Sequence, residues 1–291
     1  MSGQREAGGG SRIDTDLRQA IADATAELSA AGIHSARVDA ELLAAHAAGV
    51  DRGRLTVFEP DAAFVDRYGA LVARRAQRIP LQHIVGSAAF GPLMLQVGPG
   101  VFIPRPETEA LLEWAQAQPL PADAVIIDLC TGSGALAAAL AHHRPTARVV
   151  AVDDSAEALR YAEMNCRATS VRLLQADVTD PDLLTELNGT VDLIVSNPPY
   201  IPLGADLDPE VAHHDPAHAL FGGADGMSVI GPIVAAAARL LRPGGRIGVE
   251  HDDTTSAATA DLFARAAPFT DITARRDLTG RPRFVTATRI E

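Results

Sequence analysis

The chain contains no lysine; its 25 strongly basic residues are all arginine. Alanine is abundant, and both features read as genome-wide compositional bias without functional meaning. Basic charge is also in deficit, with a formal net charge of -12. Nucleic-acid-binding surfaces are usually basic, so this balance argues against DNA or RNA as the main ligand. Arginines gather at residues 74–78 (RRAQR) and 275–284 (RRDLTGRPRF). The first cluster reads as a solvated surface. Only two cysteines occur, Cys130 and Cys166, and they form no C-x-x-C pair. That excludes a disulfide framework and points to a reducing compartment, the cytoplasm. No apolar run reaches the roughly 18 residues that a membrane span needs. The first ten residues, MSGQREAGGG, lack the apolar stretch of a secretory signal. Residues 1–13 read as a flexible tail.

What is present is ample apolar material, 47% of 291 residues, enough for a large domain and a smaller one. Residues 14–82 carry helical periodicity. Leu17, Ile21, Ala24 and Leu28 share one face, and Gly32 is a stop. A second helix runs over 35–49, with Ser35 as cap candidate and Val38, Leu42 and Leu43 inward. A third covers about 61–78, with Phe64, Tyr68, Leu71 and Val72 at helical spacing. Residues 83–104 change character, with Gly and Pro punctuating short apolar runs, and predict a β-hairpin linker. From about 122 strands and helices alternate. Strands are expected at AVIIDL, ARVVAVD, VRLLQAD, VDLIVSN and GRIGVEH, and DITARRD and RFVTATR pair as a closing antiparallel edge. Pro232 falls near the first turns of a helix over 227–241. This alternation implies an α/β fold with a parallel sheet covered on both faces. The fourth domain segment is thus 105–291.

In such sheets ligands sit beyond the carboxyl ends of the strands. The first strand is followed by Cys130-Thr131-Gly132-Ser133-Gly134, a glycine loop opening a helix. The G-x-G-x-x-A spacing (Gly132, Gly134, Ala137) also fits a dinucleotide fingerprint. The second strand ends at Asp153, suited to accept from ribose hydroxyls; Asp154 or Ser155 would cap the next helix. The third ends at Asp177, a candidate acceptor for an adenine amino group, with the Val178 amide beside it. Asp128, just before the glycines, suits an ammonium group. Each feature alone is a common turn former, but together they describe a nucleoside site. The glycine spacing does not choose between NAD and S-adenosylmethionine.

The fourth strand end carries Asn197-Pro198-Pro199-Tyr200. Neither proline has an N–H, so the turn offers carbonyl oxygens and no donors at those positions. The Asn197 side-chain carbonyl adds an acceptor, and Tyr200 adds a flat face for stacking. Two convergent acceptors suit a planar –NH₂ group, holding its nitrogen towards an activated methyl donor. Positioning carries most of such a displacement, and no metal is required.

With DLCTGSG, Asp153 and NPPY in place, the sequence resembles the class I S-adenosylmethionine-dependent amino-group methyltransferases. More closely it resembles the PrmC/HemK family, the glutamine N5-methyltransferases of peptide chain release factors. Residues 86–113, with their R-P-E-T-E segment, resemble that family's linker. DPAHALFGGADGM (215–227), VEHDD and the final RDLTGRPRFVTATR also fit. The resemblance implies a Rossmann-like methyltransferase domain, with an antiparallel edge on its parallel sheet, preceded by a small all-α domain. It implies methyl transfer to the glutamine amide of a Gly-Gly-Gln loop in release factors, with S-adenosyl-L-methionine as donor. By this resemblance Asn197, Pro198, Pro199 and Tyr200 hold the amide. Asp128, Cys130, Thr131, Gly132, Ser133, Gly134, Asp153, Asp177, Val178 and Asn197 hold the cofactor. Two departures stand out: Cys130 replaces the family's usual glycine, which narrows the mouth of the loop, and Asp252 follows Glu250-His251 where the family has glycine.

Arg105-Pro106-Glu107-Thr108-Glu109 reads as a helix start, and the resemblance adds a site-lining role. His213, His214, Asp215 and His218 invite a metal reading, but Pro216 interrupts any regular helical face, and no metal is expected. The rival activities are DNA or RNA amino-group methylation, which shares the NPPY chemistry, and an NAD-dependent oxidoreductase. A cofactor-binding module without catalysis is the non-enzyme rival. The expected partners are release factors, with no nucleic-acid substrate and no membrane.

Overall fold

The computed structural model describes residues 17–266 and 268–290. The expected tail over 1–13 lies outside them. The chain divides into two compact units, the first ending at Val85 and the second beginning at Gly86.

The first unit is helical: α1 (Leu17–Ala30), α2 (Ala36–Ala48), α3 (Ala62–Ala76) and α4 (Leu81–Val85). The apolar spacing of α1 buries Leu17, Ile21, Ala24 and Leu28. Asp61 caps α3 by accepting the Phe64 N–H at 2.6 Å. Phe64 and Tyr68 stack inside, and the Tyr68 hydroxyl donates to the Ala40 carbonyl. Three expectations need correcting. Val38 is exposed; α2 instead turns Ala36, Ala40, Leu43, Ala44 and Ala47 inward, because small alanines let the helices approach closely. Ser35 makes no side-chain cap to α2. RRAQR is not all solvated surface: Arg75 is 4% exposed and donates to the equally buried Asp39 at 2.7 Å. That carboxylate lies on α2, 36 residues away, out of reach of any local pattern.

The second unit opens with an antiparallel hairpin, β1 (Ser87–Phe90) and β2 (Leu93–Gln96). Then follow α5 (Glu109–Gln116), β3 (Val125–Leu129), α6 (Ala135–His143), β4 (Arg148–Asp153), α7 (Ala156–Cys166), β5 (Arg172–Gln175) and β6 (Val191–Ser196). After two short helices, α8 (Pro209–His214) and α9 (Ala217–Leu220), come α10 (Ile230–Leu240), β7 (Leu241–Glu250), α11 (Ser256–Arg265), β8 (Phe269–Arg276) and β9 (Pro282–Arg289). One seven-stranded sheet runs in the order β5-β4-β3-β6-β7-β9-β8. The first five strands are parallel, and β9 is antiparallel to both β7 and β8. Pro232 is the third residue of α10, where its missing N–H breaks no intrahelical bond. The strand expected at 245–251 begins earlier, at Leu241, directly after α10. Leu241 pairs with Val191, the register slips, and pairing resumes between Arg246 and Leu193.

Strand alternation sends successive residues to opposite faces. Ile126, Val149, Ala151, Leu193 and Val195 meet the alanines of α6 with Leu111 and Leu112 of α5. Ile127, Leu129, Val150, Val152 and Ile194 meet Ile233, Val234, Ala237 and Leu240 of α10 and Phe263 of α11. Each fully buried aliphatic side chain contributes about 1.5–3 kcal/mol. Both faces are therefore anchored, and the chain reverses its direction of travel across the sheet between β3 and β6. At that switch point the strand ends part and leave a crevice.

Candidate active site

A cavity of about 310 Å³ opens at this switch point. Asp128, Cys130, Thr131, Gly132, Ser133, Asp153, Asp177, Val178, Asn197, Pro198, Pro199 and Tyr200 all line it. Gly134 does not; it turns to α7. Its φ of +80° suits glycine, and a Cβ there would stand 3.1 Å from the Ala162 backbone. The turn thus lets α6 and α7 pack closely.

The loop after β3 is held from within. Thr131 N–H donates to the Val152 carbonyl, Gly134 N–H to the Thr131 carbonyl and Gly132 N–H to Asp153 Oδ2. Asp153 Oδ1 accepts from Ser155 N–H, while Ser155 caps α7 by accepting from Ala158 N–H. Asp153 therefore braces the loop as well as facing the cavity. Burial pushes its carboxyl up, opposed by those two amides. Cys130 adopts φ +60°, the left-handed region that favours glycine. Cys130 is among the residues lining the cavity, and burial raises its thiol far above the usual thiol range.

Asp128 is 1% exposed. Its Oδ2 accepts from the Thr131 hydroxyl at 2.5 Å and the Ala137 N–H at 3.0 Å. Its Oδ1 is buried with no hydrogen-bond partner among the described residues. Burial pushes the carboxyl up to about 7. A buried carboxyl oxygen left unpaired at a cavity wall has unused hydrogen-bonding capacity there. Asp177 sits exposed at the rim, where Oδ1 holds both the N–H and hydroxyl of Thr179; the side-chain bond, then the backbone bond, lowers its carboxyl.

The Asn197–Tyr200 turn follows β6. Asn197 Nδ2 donates to Thr108 Oγ1 at 3.1 Å, and the Tyr200 hydroxyl donates to Glu250 Oε1 at 3.1 Å. Glu250 ends β7, is 1% exposed, and burial pushes it up to about 7. Thr108, Arg283 and Tyr200 act against that rise. Arg283 is itself paired with Asp277 at 3.1 Å. Residues 201–223 strap the turn from outside. Ile201 N–H donates to the Leu220 carbonyl, Gly222 N–H to the Ile201 carbonyl and Leu203 N–H to the Gly223 carbonyl. Gly226, at φ +78°, lies so near the Tyr200 carbonyl that any Cβ would collide with it. Arg105 reaches Asp215 at 2.5 Å and stacks over Phe102, 4.9 Å from the ring centroid. These contacts join the RPETE and 215–227 segments to the turn they surround. Among the described residues no three His, Cys, Asp or Glu side chains assemble as a metal would require. No helix among them is long and apolar enough to cross a membrane.

Sequence reasoning passed over Thr108 as an individual residue and left Glu250 without a role. The signals available were the R-P-E-T-E segment and a carboxylate at a strand end. The partners lie 89 and 50 residues away, beyond local patterns.

Comparison with known proteins adds to this geometry. Residues 19–86 match the family described as PrmC N-terminal domain, and 99–259 match the Methyltransferase small domain. A relative from Mycolicibacterium smegmatis, named release factor glutamine methyltransferase, is 70% identical over 95% of this chain and 99% of its own. The 4-amino-L-phenylalanine/4-methylamino-L-phenylalanine methyltransferase of Streptomyces pristinaespiralis is 41% identical over 85% of this chain and 87% of its own. A methyltransferase from Pyrococcus furiosus shares the fold, with a TM-score of 0.51 at 18% identity over 69% of this chain and 90% of that one.

Proposed function

Because the chain belongs to the release factor glutamine methyltransferase family, we propose that the residues lining its cavity place a release factor's glutamine amide against S-adenosyl-L-methionine. The enzyme is a protein-glutamine N5-methyltransferase. Its acceptor is the glutamine of the Gly-Gly-Gln loop. It works in the cytoplasm beside its substrate, without a nucleic-acid or membrane partner.

The residues present fit the cofactor. The unpartnered Oδ1 of Asp128 is the acceptor an ammonium group needs. The Thr131, Gly132 and Gly134 amides are all committed to protein acceptors. A pyrophosphate would need such amides, so the loop suits a nucleoside ligand without phosphates better than a dinucleotide. Asp128 would hold the ammonium group. Asp153 and Asp177 would take the ribose and adenine, with Cys130, Thr131, Ser133 and Val178 as walls. Gly132 keeps the loop open and Gly134 shapes it from behind. When bound, the cofactor supplies an electrophilic methyl group on a sulfonium.

The chain's own contribution is positioning. Asn197 commits its nitrogen end to Thr108, so Oδ1 is the end offered to an –NH₂ donor. The Pro198 carbonyl is the second acceptor, from a turn that has no competing N–H at Pro198 or Pro199. Together they hold both hydrogens of the amide and align its nitrogen. The Tyr200 ring, tied down by Glu250, flanks the amide plane. The observation that carries this reading is the Asn197–Thr108 bond, because it makes the turn an acceptor site. Incubation of release factor with enzyme and cofactor should add one methyl group to the Gly-Gly-Gln peptide by mass spectrometry. Methylation of free 4-amino-L-phenylalanine or of duplex DNA in place of the peptide would overturn the substrate assignment.

A further inference from the structure

We infer that Asn165 on α7 is a positioning residue for the cofactor: its side-chain amide clamps the glycine loop to the linker at β2 and so fixes two walls of the cofactor pocket relative to each other. The inference rests on the reading that the cavity takes S-adenosyl-L-methionine.

Glu157, Tyr161 and Asn165 recur every four residues and so share one face of α7. That face lies along the linker. Asn165 meets Gln96 at the end of β2, the Tyr161 hydroxyl donates to the Pro99 carbonyl at 3.3 Å, and the Glu157 carboxyl lies over Gly100. Helix numbers rise as linker numbers fall, so the two segments run antiparallel. Gly98 and Gly100 permit the approach. A Cβ at Gly98 would stand 2.5 Å from the Tyr161 hydroxyl, and one at Gly100 would stand 2.2 Å from the Glu157 carboxyl carbon. Val97, Val101 and Ile103 of the linker bury their side chains in one cluster with Ala158 of α7.

Asn165 does more than complete this row. Its Oδ1 accepts the Gln96 N–H at 2.7 Å, while Nδ2 donates to the Gln96 carbonyl at 3.0 Å and to the Ser133 carbonyl at 2.8 Å. The side chain pairs with Gln96 as a neighbouring strand would, and spends its second proton on the glycine loop. Three partners fix the amide. Turned over, it would set its –NH₂ against an N–H and its oxygen against two carbonyls.

Both segments that Asn165 joins are pocket walls. Ser133 lines the cavity from the glycine loop, and Gly100, Val101 and Phe102 line it from the linker. With the three bonds in place, the pocket is set before the cofactor arrives. Without them, loop and linker must be ordered on binding, and that cost falls on affinity. The amide-holding turn at Asn197–Tyr200 is a separate segment, so turnover with cofactor saturating is spared.

Calorimetric titration of the full-length enzyme with S-adenosyl-L-methionine needs no release factor. Asn165→Ala should raise Kd about tenfold, the loss of two or more ordinary hydrogen bonds. Its kcat with release factor and saturating cofactor should stay within about twofold of wild type, the signature of lost uniform binding. Asn165→Asp keeps the acceptor for Gln96 and sets oxygens against both carbonyls, so it should bind cofactor no better than Asn165→Ala. Gly98→Ala, which drives the linker off Tyr161 without touching Asn165, should also raise Kd. Hydrogen exchange of the 96–101 segment gives the readout specific to positioning. It should be slow in the free wild type, fast in free Asn165→Ala and slow again in that variant once cofactor is bound. Wild-type affinity in Asn165→Ala, recovery of affinity in Asn165→Asp, or unchanged exchange over 96–101 would overturn the inference alone. A wild-type enzyme that binds no cofactor would overturn the proposed function and this inference with it.

Discussion

The Tyr200 hydroxyl lies 3.1 Å from Oε1 of Glu250, which stands at the end of the neighbouring strand 50 residues further on. Tyr200 is the aromatic member of the NPPY turn, and Glu250 is almost wholly enclosed. The bond stops the ring from rotating out of the cavity wall. Burial and the facing carboxylate both raise the phenol pKa, so Tyr200 keeps its proton and remains a donor.

Tyr200→Phe keeps the ring and removes that anchor. Losing one hydrogen bond of about 1 kcal/mol corresponds to roughly a fivefold fall in kcat. Tyr200→Ala, which also removes the flanking face, should fall further. Steady-state kinetics with release factor check both, and a Tyr200→Phe enzyme as slow as Tyr200→Ala would show that the ring contributes nothing.

Asp128→Asn should weaken S-adenosyl-L-methionine binding strongly. In the wild type the carboxyl sits at about 7, raised by burial from an ordinary 3.8. The ligand's ammonium prefers the carboxylate, so affinity should increase as pH climbs through about 7. The sign for stability is opposite: the folded carboxyl holds its proton where the unfolded one has lost it. Its contribution is present below the ordinary value and is lost as pH rises towards 7. Calorimetric titrations between pH 6 and 8 should show the affinity rise in wild type and its absence in Asp128→Asn.

Gly226→Ala places a Cβ against the Tyr200 carbonyl at a φ of +78°. Strain of this kind costs about 1–3 kcal/mol. Because the carbonyl belongs to the Asn197–Tyr200 turn proposed to hold the amide, kcat should fall along with the melting temperature. Thermal denaturation and kinetics on the same variant test the linkage.

In the first unit Arg75→Ala should be severe. It strands the Asp39 carboxylate, 4% exposed, and removing one member of a buried pair costs about 3–5 kcal/mol. The apolar double replacement Asp39→Leu with Arg75→Met should recover much of that loss. Urea denaturation of the four proteins gives the comparison.

The amino-acid order alone made the strand–helix alternation legible, because a two-residue period and a 3.6-residue period are local properties of the chain. The same is true of the NPPY turn: two prolines lack N–H groups wherever they stand. The strand-end rule then brought Asp128, Asp153, Asp177 and Asn197 to one crevice, and the cavity contains all four. RRAQR misled the reading because Arg75 finds its partner on another helix, and the cluster itself carries no trace of Asp39.

Tertiary structure decided the orientation of the site. The choice between the two ends of the Asn197 amide depends on a hydroxyl 89 residues earlier. The setting of Tyr200 depends on a carboxylate 50 residues later. Both partners acquire their influence from burial, since only a water-free surrounding makes a single hydrogen bond selective and shifts Glu250 to about 7. Local sequence specifies which groups are available; the packing of distant segments specifies which way they point and in which protonation state they act.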